Sequence, residues 1–188
     1  MNIFILDHLP EDIPAQMCNQ HINKMLVEST QLLCTATHLL YKQAGGTPFC
    51  TSLYKPTHAN HPCTLWLLES KANTNWLYKL VHQLEAERQI RSNYTKAVHL
   101  SRVVAAQAKA CLATLPPSTW KDTPLTVPPQ CMPLEFQQFG TEPSWELAVK
   151  AYRDYYITKD AGWRAEGKGM TWTNAPIPVW FKAKEETA

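Results

Sequence analysis

Six polar residues, His21, Lys24, Glu28, Gln31, Thr35 and His38, recur at intervals of 3, 4, 3, 4 and 3. On an α-helix this spacing lines them along one face. The stripe lacks the Lys/Glu alternation of a solubilising surface and carries an acid, a base and a cation within two turns. His21 and Glu28 are placed to reach one small substrate group, as general acid–base catalysis requires. An ordinary solvent face is the plain alternative. A second cluster, Tyr54-Lys55-Pro56-Thr57-His58-Ala59-Asn60-His61-Pro62, stands where a helix begins. Helix N-termini attract anions through free N–H groups and the dipole. A lysine, two histidines, an asparagine and two hydroxyls there suit a phosphate or a developing oxyanion. The histidines could equally cap the helix and brace the turn. His58, His61 and Cys63 are spaced closely enough to suggest zinc, but nothing else completes a recognised ligand pattern, so no metal or other cofactor is expected.

A third cluster is aromatic and basic: Tyr152, Arg153, Tyr155, Tyr156, Lys159, Trp163, Arg164 and Lys168, with Trp172, Trp180 and Phe181 downstream. Aromatic faces interleaved with cations can stack bases and hold a nucleic-acid backbone. The same residues can also pin the last segment of a helical core, and Asp154, Asp160 and Glu166 nearly cancel the charge. No glycine-rich phosphate loop, GxSxG elbow or HExxH occurs, which removes the usual support for common nucleotide-hydrolase, serine-esterase and zinc-protease readings.

Four helices must position these groups. The first begins near Asp12 or Pro14 and runs to about Lys42, with Ile22, Met25, Leu26, Leu32, Leu33, Ala36, Leu39 and Leu40 as its apolar stripe. The second starts at Asn60-His61-Pro62, an N-terminal capping pattern, and continues to about Arg91. The third covers Tyr94 to Thr114, and the fourth opens at Pro143-Ser144 and runs to about Lys159. Residues 115–143 hold seven of the fourteen prolines. Trp120, Phe136 and Phe139 mark that stretch as a loop packed on the body and not a domain linker. Met1–Leu6 reads as a short strand or extended arm on the core. The expectation is a single, mainly α domain over residues 1–188.

Composition narrows the class. The 188 residues are 45% hydrophobic and include seven Trp, which excludes a disordered chain. No apolar run reaches membrane-spanning length, and Ile3–Leu6 is too short for a signal-peptide core, so a cytoplasmic protein is expected. The six cysteines show no CxxC and are expected as free thiols. The net charge of +2 is modest, but Lys71, Lys79, Arg88, Arg91, Lys96, Arg102 and Lys109 face only Glu85 and Glu87. That local excess is either a solvated helix surface or a phosphate-facing one.

Two resemblances add to this reading. Asn2-Ile3-Phe4-Ile5-Leu6-Asp7, then Asn19-Gln20-His21 with Lys24, Met25, Glu28, Ser29 and Gln31, resemble a family of short proteins of large tailed phages. So do Tyr54-Lys55, Thr57-His58, Asn60-His61-Pro62, Glu69-Ser70, Asn75-Trp76-Leu77, Met132-Pro133, Ala151-Tyr152-Arg153 and Tyr155-Tyr156. The helix carrying Asn19-Gln20-His21 and Glu28 is in turn similar to that of the endonuclease V-type pyrimidine-dimer DNA glycosylases. That likeness implies a small, mostly α enzyme that flips a base from a kinked duplex, attacks sugar C1′ with its N-terminal α-amine, and uses a helix glutamate. Glu28 would be that glutamate, with His21 its neighbour. One departure is the Asn at position 2, which is not small, so Met1 is expected to stay. The nucleophile is then the Met1 amine, or Lys24 or Lys55 with a depressed pKa, or there is no Schiff-base chemistry.

The expectation is a DNA-directed enzyme of phage type, most specifically a glycosylase or lyase acting on a damaged or modified base in the host cytoplasm. Its chemistry would lie with Glu28, His21, His58, His61, Lys24, Lys55 and Met1. Substrate binding would fall to Tyr54, Asn60, Gln31, Arg153, Tyr152, Tyr156 and Trp163. One alternative is an enzyme or binding protein for a free nucleotide or other small phosphorylated ligand, and another is a non-enzymatic partner-binding protein.

Overall fold

The computed structural model describes residues 1–120 and 123–185, without the side chains of residues 183–185. Among these residues seven α-helices form a single compact domain: α1 (Ile13–Gln16), α2 (Asn19–Gln43), α3 (Pro62–Glu69), α4 (Lys71–Arg91), α5 (Leu100–Ala113), α6 (Trp145–Ala165) and α7 (Val179–Glu185). No strand occurs among the described residues, and no helix among them is long and apolar enough to cross a membrane.

α2 is the axis. It packs against α3, α4 and α5, and Ile22, Met25, Leu26, Leu32, Leu33 and Ala36 are all buried. The N-terminal arm is extended but pairs with nothing as a strand; it threads into the core instead. Ile3, Phe4, Ile5 and Leu6 are buried there, each contributing roughly 1.5–3 kcal/mol of apolar transfer. The arm bends at once. The Asn2 Oδ1 accepts the backbone N–H groups of Ile3 (2.7 Å) and Phe4 (3.2 Å), and Phe4 takes the left-handed φ of 53° that a bulky residue rarely adopts. The burial of Phe4 against His21, with ring centroids 4.6 Å apart, holds that conformation.

Three helix boundaries differ from those expected from the sequence for a polar reason, and a fourth differs in that α6 runs six residues past the expected end near Lys159, to Ala165. The first expected helix is broken at Met17 and Cys18, which turn extended so that the Cys18 N–H reaches the buried Tyr156 hydroxyl (2.9 Å). The second is divided at Ser70, whose extended backbone ends α3 while its hydroxyl caps α4 through the N–H groups of Ala72 (3.0 Å) and Asn73 (3.4 Å). The third begins six residues later than Tyr94, because Asn93 and Tyr94 both adopt positive φ and His99 caps α5. α7 is additional to the four helices expected from the sequence. It follows Pro178 and buries Phe181.

The proline-rich stretch is packed, as Trp120 and Phe136 indicated, but Phe139, the third aromatic expected there, is exposed to solvent. Asn73 reaches out from α4 to Thr126, donating to its Oγ1 (2.8 Å) and accepting its N–H (3.0 Å). Gln130 closes the loop on itself through the N–H and carbonyl of Gln138. Tyr152 on α6 completes the fixation: its hydroxyl donates to the Pro129 carbonyl (2.9 Å) and accepts the Cys131 N–H (3.1 Å). Residue 131 is thereby delivered to the N-terminal arm.

Candidate functional site

The polar stripe of α2 and the Tyr54–Pro62 cluster face one another. Thr35 Oγ1 donates to the Thr57 carbonyl (3.0 Å) and accepts the Thr57 N–H (3.1 Å), stitching the loop to the helix. The arm enters alongside. The Asn2 N–H donates to Glu28 Oε2 (2.8 Å), and the Asn2 side-chain amide donates to the Cys131 carbonyl (2.8 Å). The chain terminus is therefore held one residue from the Glu28 carboxylate. Lys24 approaches the other oxygen of that carboxylate at 3.9 Å from an exposed position.

His61 belongs to the same group. Its Nδ1 accepts the Cys63 N–H (3.1 Å) and caps α3. Burial lowers its pKa, and the Met1 ammonium and His58 lower it further, while hydrogen bonding to the Met1 backbone and the Glu28 charge oppose them. Met1, Glu28 and His61 thus share one electrostatic neighbourhood. Cys63 and Cys131 complete it, with their sulfurs 3.4 Å apart. The hydrogen bond between the two thiols raises Cys63 and lowers Cys131, and burial adds to the rise at Cys63. His58 stands further out, exposed at positive φ, with its Nδ1 2.7 Å from the Thr57 hydroxyl and its ring 6.5 Å from that of His61.

The remaining candidates divide by burial. His21 is fully buried: its Nδ1 lies 2.7 Å from the Tyr156 hydroxyl, and Phe4 and Trp163 cover the ring. Burial drops its pKa to about 3, with Lys159 and Lys24 adding to the fall, so it is a neutral core histidine. Tyr152 and Tyr156 are fully buried and hold backbone groups of Cys131 and Cys18. Arg153 donates to the Leu6 carbonyl (2.9 Å), Asp7 (3.2 Å) and Gln16 (3.3 Å), anchoring the end of the arm. Tyr54 places its hydroxyl 3.0 Å from that of Ser101. Asn60 opens toward the C-terminal end of α2 beside Leu39 and Lys42, Lys55 is exposed on its loop, and Gln31 is half-buried on α2.

A half-exposed aromatic edge, missed by those candidates in part, borders the same face of α2. Lys159 lies over the rings of Tyr155 (5.3 Å) and Trp163 (5.7 Å), and Phe136 packs on Tyr155 at 5.2 Å. Burial lowers the Lys159 pKa, and Lys24 lowers it further, against the pull of Cys18 and Glu28. Helical spacing already set Tyr155, Lys159 and Trp163 on one side of α6; which tyrosines face inward was decided by packing.

The motif residues of the first turn of α2 are structural. The Asn19 amide donates to Thr171 Oγ1 (3.0 Å) and Thr173 Oγ1 (2.8 Å), and Gln20 donates to the Gly169 carbonyl (3.0 Å), tying down the C-terminal segment. Three of the seven cations over residues 71–109 are also committed internally: Lys109 donates to Asn75 Oδ1 and lies over the Tyr78 ring at 5.8 Å. Arg88 bonds Asn23, Glu85 and the Ala97 carbonyl, and Arg91 bonds Glu87, Asn19 and the Pro14 carbonyl. No protein-family model, curated protein or solved structure matches the chain.

Proposed function

We propose that this protein is a DNA-directed enzyme, a glycosylase/lyase acting on a damaged or modified base, with the Met1 α-amine as nucleophile. The observation that carries the reading is the 2.8 Å hydrogen bond from the Asn2 N–H to Glu28 Oε2, which fixes an N-terminal amine next to a half-buried carboxylate. The amine nitrogen attacks sugar C1′ as the C1′–N bond to the base breaks, and the base leaves with a proton supplied at the site. Loss of the amine's protons and opening of the sugar give the imine. Glu28 stabilises the positive charge of the oxocarbenium-like sugar and of the imine. His61, and His58 further out, move protons. The Tyr155, Phe136 and Trp163 edge offers faces on which an extruded base can stack.

The test is incubation of the intact protein with irradiated and unirradiated duplex DNA in the presence of borohydride. A reduced covalent adduct on irradiated DNA alone, mapped to the Met1 peptide, is the expected result. An adduct mapped to Lys24 or Lys55 would overturn the assignment of the nucleophile. No adduct and no strand cleavage would overturn the lyase reading.

A second reading, a pocket for a free nucleotide or other small phosphorylated ligand, draws on the internal use of Arg88 and Arg91. These two cannot neutralise phosphates while paired, which reduces the surface available to a duplex. A small-ligand site loses affinity with salt less steeply than one neutralising several phosphates.

A further inference from the structure

We infer that His61, Cys63 and Cys131 form a binding site for a zinc-class cation. A ring nitrogen of His61 and the two sulfurs all lie within 4.8 Å of one another. The inference goes beyond the base-excision reading and does not depend on it; with the cation bound, His61 is a ligand and proton transfer falls to His58.

The donor set selects the metal. Two thiolates and an imidazole favour zinc, or softer ions such as monovalent copper, over calcium or magnesium, which prefer oxygen. The sulfur spacing fits as well. Two Zn–S bonds of about 2.3 Å at a tetrahedral angle place their sulfurs about 3.8 Å apart. Cys63 and Cys131 are at 3.4 Å, much nearer that separation than the ~2.05 Å of a disulfide. Three protein ligands leave a fourth position for water, the composition of catalytic and not structural zinc sites.

The ligands are also held. His61 and Cys63 are brought together by the start of α3, at its cap and second residue, and a cation taken at His61 Nδ1 replaces the Cys63 N–H there. Cys131 is fixed on both sides, its N–H by the Tyr152 hydroxyl and its carbonyl by the Asn2 amide. Outer contacts that orient ligands in this way are a usual part of metal sites. The sequence could not show the set, because Cys131 joins it from 68 residues beyond Cys63. His58, the third ligand that spacing alone suggested, is not in the group.

The test uses the full-length protein, reduced and stripped of metal, titrated with cobalt(II). The expected spectrum has a thiolate-to-cobalt charge-transfer band and visible bands of tetrahedral intensity, saturating at one equivalent and abolished by added zinc. Cys131→Ser, on a half-buried loop position, should lose the charge-transfer intensity of one thiolate and weaken zinc binding more than about a hundredfold. Tyr152→Phe, which frees the Cys131 backbone, should weaken it by about tenfold. His58→Ala and Cys50→Ser should bind as the parent does, with circular dichroism verifying the fold of each variant. Absence of the charge-transfer band in the reduced parent would overturn the site, as would full retention of that band in Cys131→Ser. Air oxidation of the reduced parent to a species two hydrogens lighter, without cobalt uptake before oxidation, would show a redox pair in place of a metal centre.

Discussion

Glu28 and His21 share one helix face in the sequence, yet the fold gives them opposite fates. Glu28 is half-buried beside the chain terminus and Lys24. His21 lies under Phe4 and Trp163 with its Nε2 buried and unpartnered among the described residues. Glu28→Gln separates charge from structure, because a glutamine oxygen still accepts the Asn2 N–H. Under the proposed function it should leave thermal stability close to the parent's while slowing borohydride-trapped adduct formation by about 100-fold or more. Equal adduct yields at early times would remove Glu28 from the mechanism. For His21 the sign follows from its depressed pKa, about 3 against 6.5 in the unfolded chain. Between those values the unfolded state binds more protons, so stability falls as pH drops through the window. At pH 5.5 this group alone costs about 1.4 kcal/mol relative to pH 8. A His21→Gln variant, less stable at neutral pH, should show a correspondingly flatter stability profile from pH 8 to 5.5 in urea titrations.

Among the elements, the joint at Ser70 has the most consequence for the site. Its hydroxyl caps α4 and donates to the Thr123 carbonyl (2.9 Å), coupling the α3–α4 corner to the loop that carries Cys131. Ser70→Ala removes the cap and that link together and is expected to cost about 1–2 kcal/mol in chemical unfolding. A loss within 0.3 kcal/mol or so would mean that the corner is held by packing instead. In the sequence Ser70 stands inside an unbroken helical pattern, since Leu67, Trp76, Leu77 and Leu80 keep their spacing across it. A serine hydroxyl is compatible with a helix interior as well as with a cap, and only the neighbouring carbonyl decides between them. The proline-rich loop was legible as packed from Trp120 and Phe136, though not from the exposed Phe139, and not as the segment that brings a cysteine to α3.

At the scale of the whole molecule, the question is which charges reach solvent. Arg91 is nearly buried against Glu87, whereas Lys24 is exposed and Lys159 half-buried near the proposed site. If DNA docks on this face, Lys24→Gln and Lys159→Gln should each reduce the slope of log affinity against log salt by about 1. Arg91→Gln should leave the slope unchanged while destabilising the fold by about 1–3 kcal/mol through the stranded Glu87. Anisotropy titrations of a labelled duplex at several salt concentrations measure both. Unchanged slopes in the two lysine variants would place any DNA surface elsewhere.

The sequence by itself determined the mainly helical class, the central amphipathic helix, the buried arm and the two polar clusters. Each of these follows from local pattern: apolar spacing, capping residues and prolines act over a few positions. Tertiary structure alone decided that the clusters meet, that the terminus stops beside Glu28, and that Cys131 joins His61 and Cys63. It also withdrew His21, Tyr152 and Tyr156 into the core. Side-chain type records what a residue can do. Burial and long-range hydrogen bonds, made between segments more than a hundred residues apart, decide whether it is free to do it.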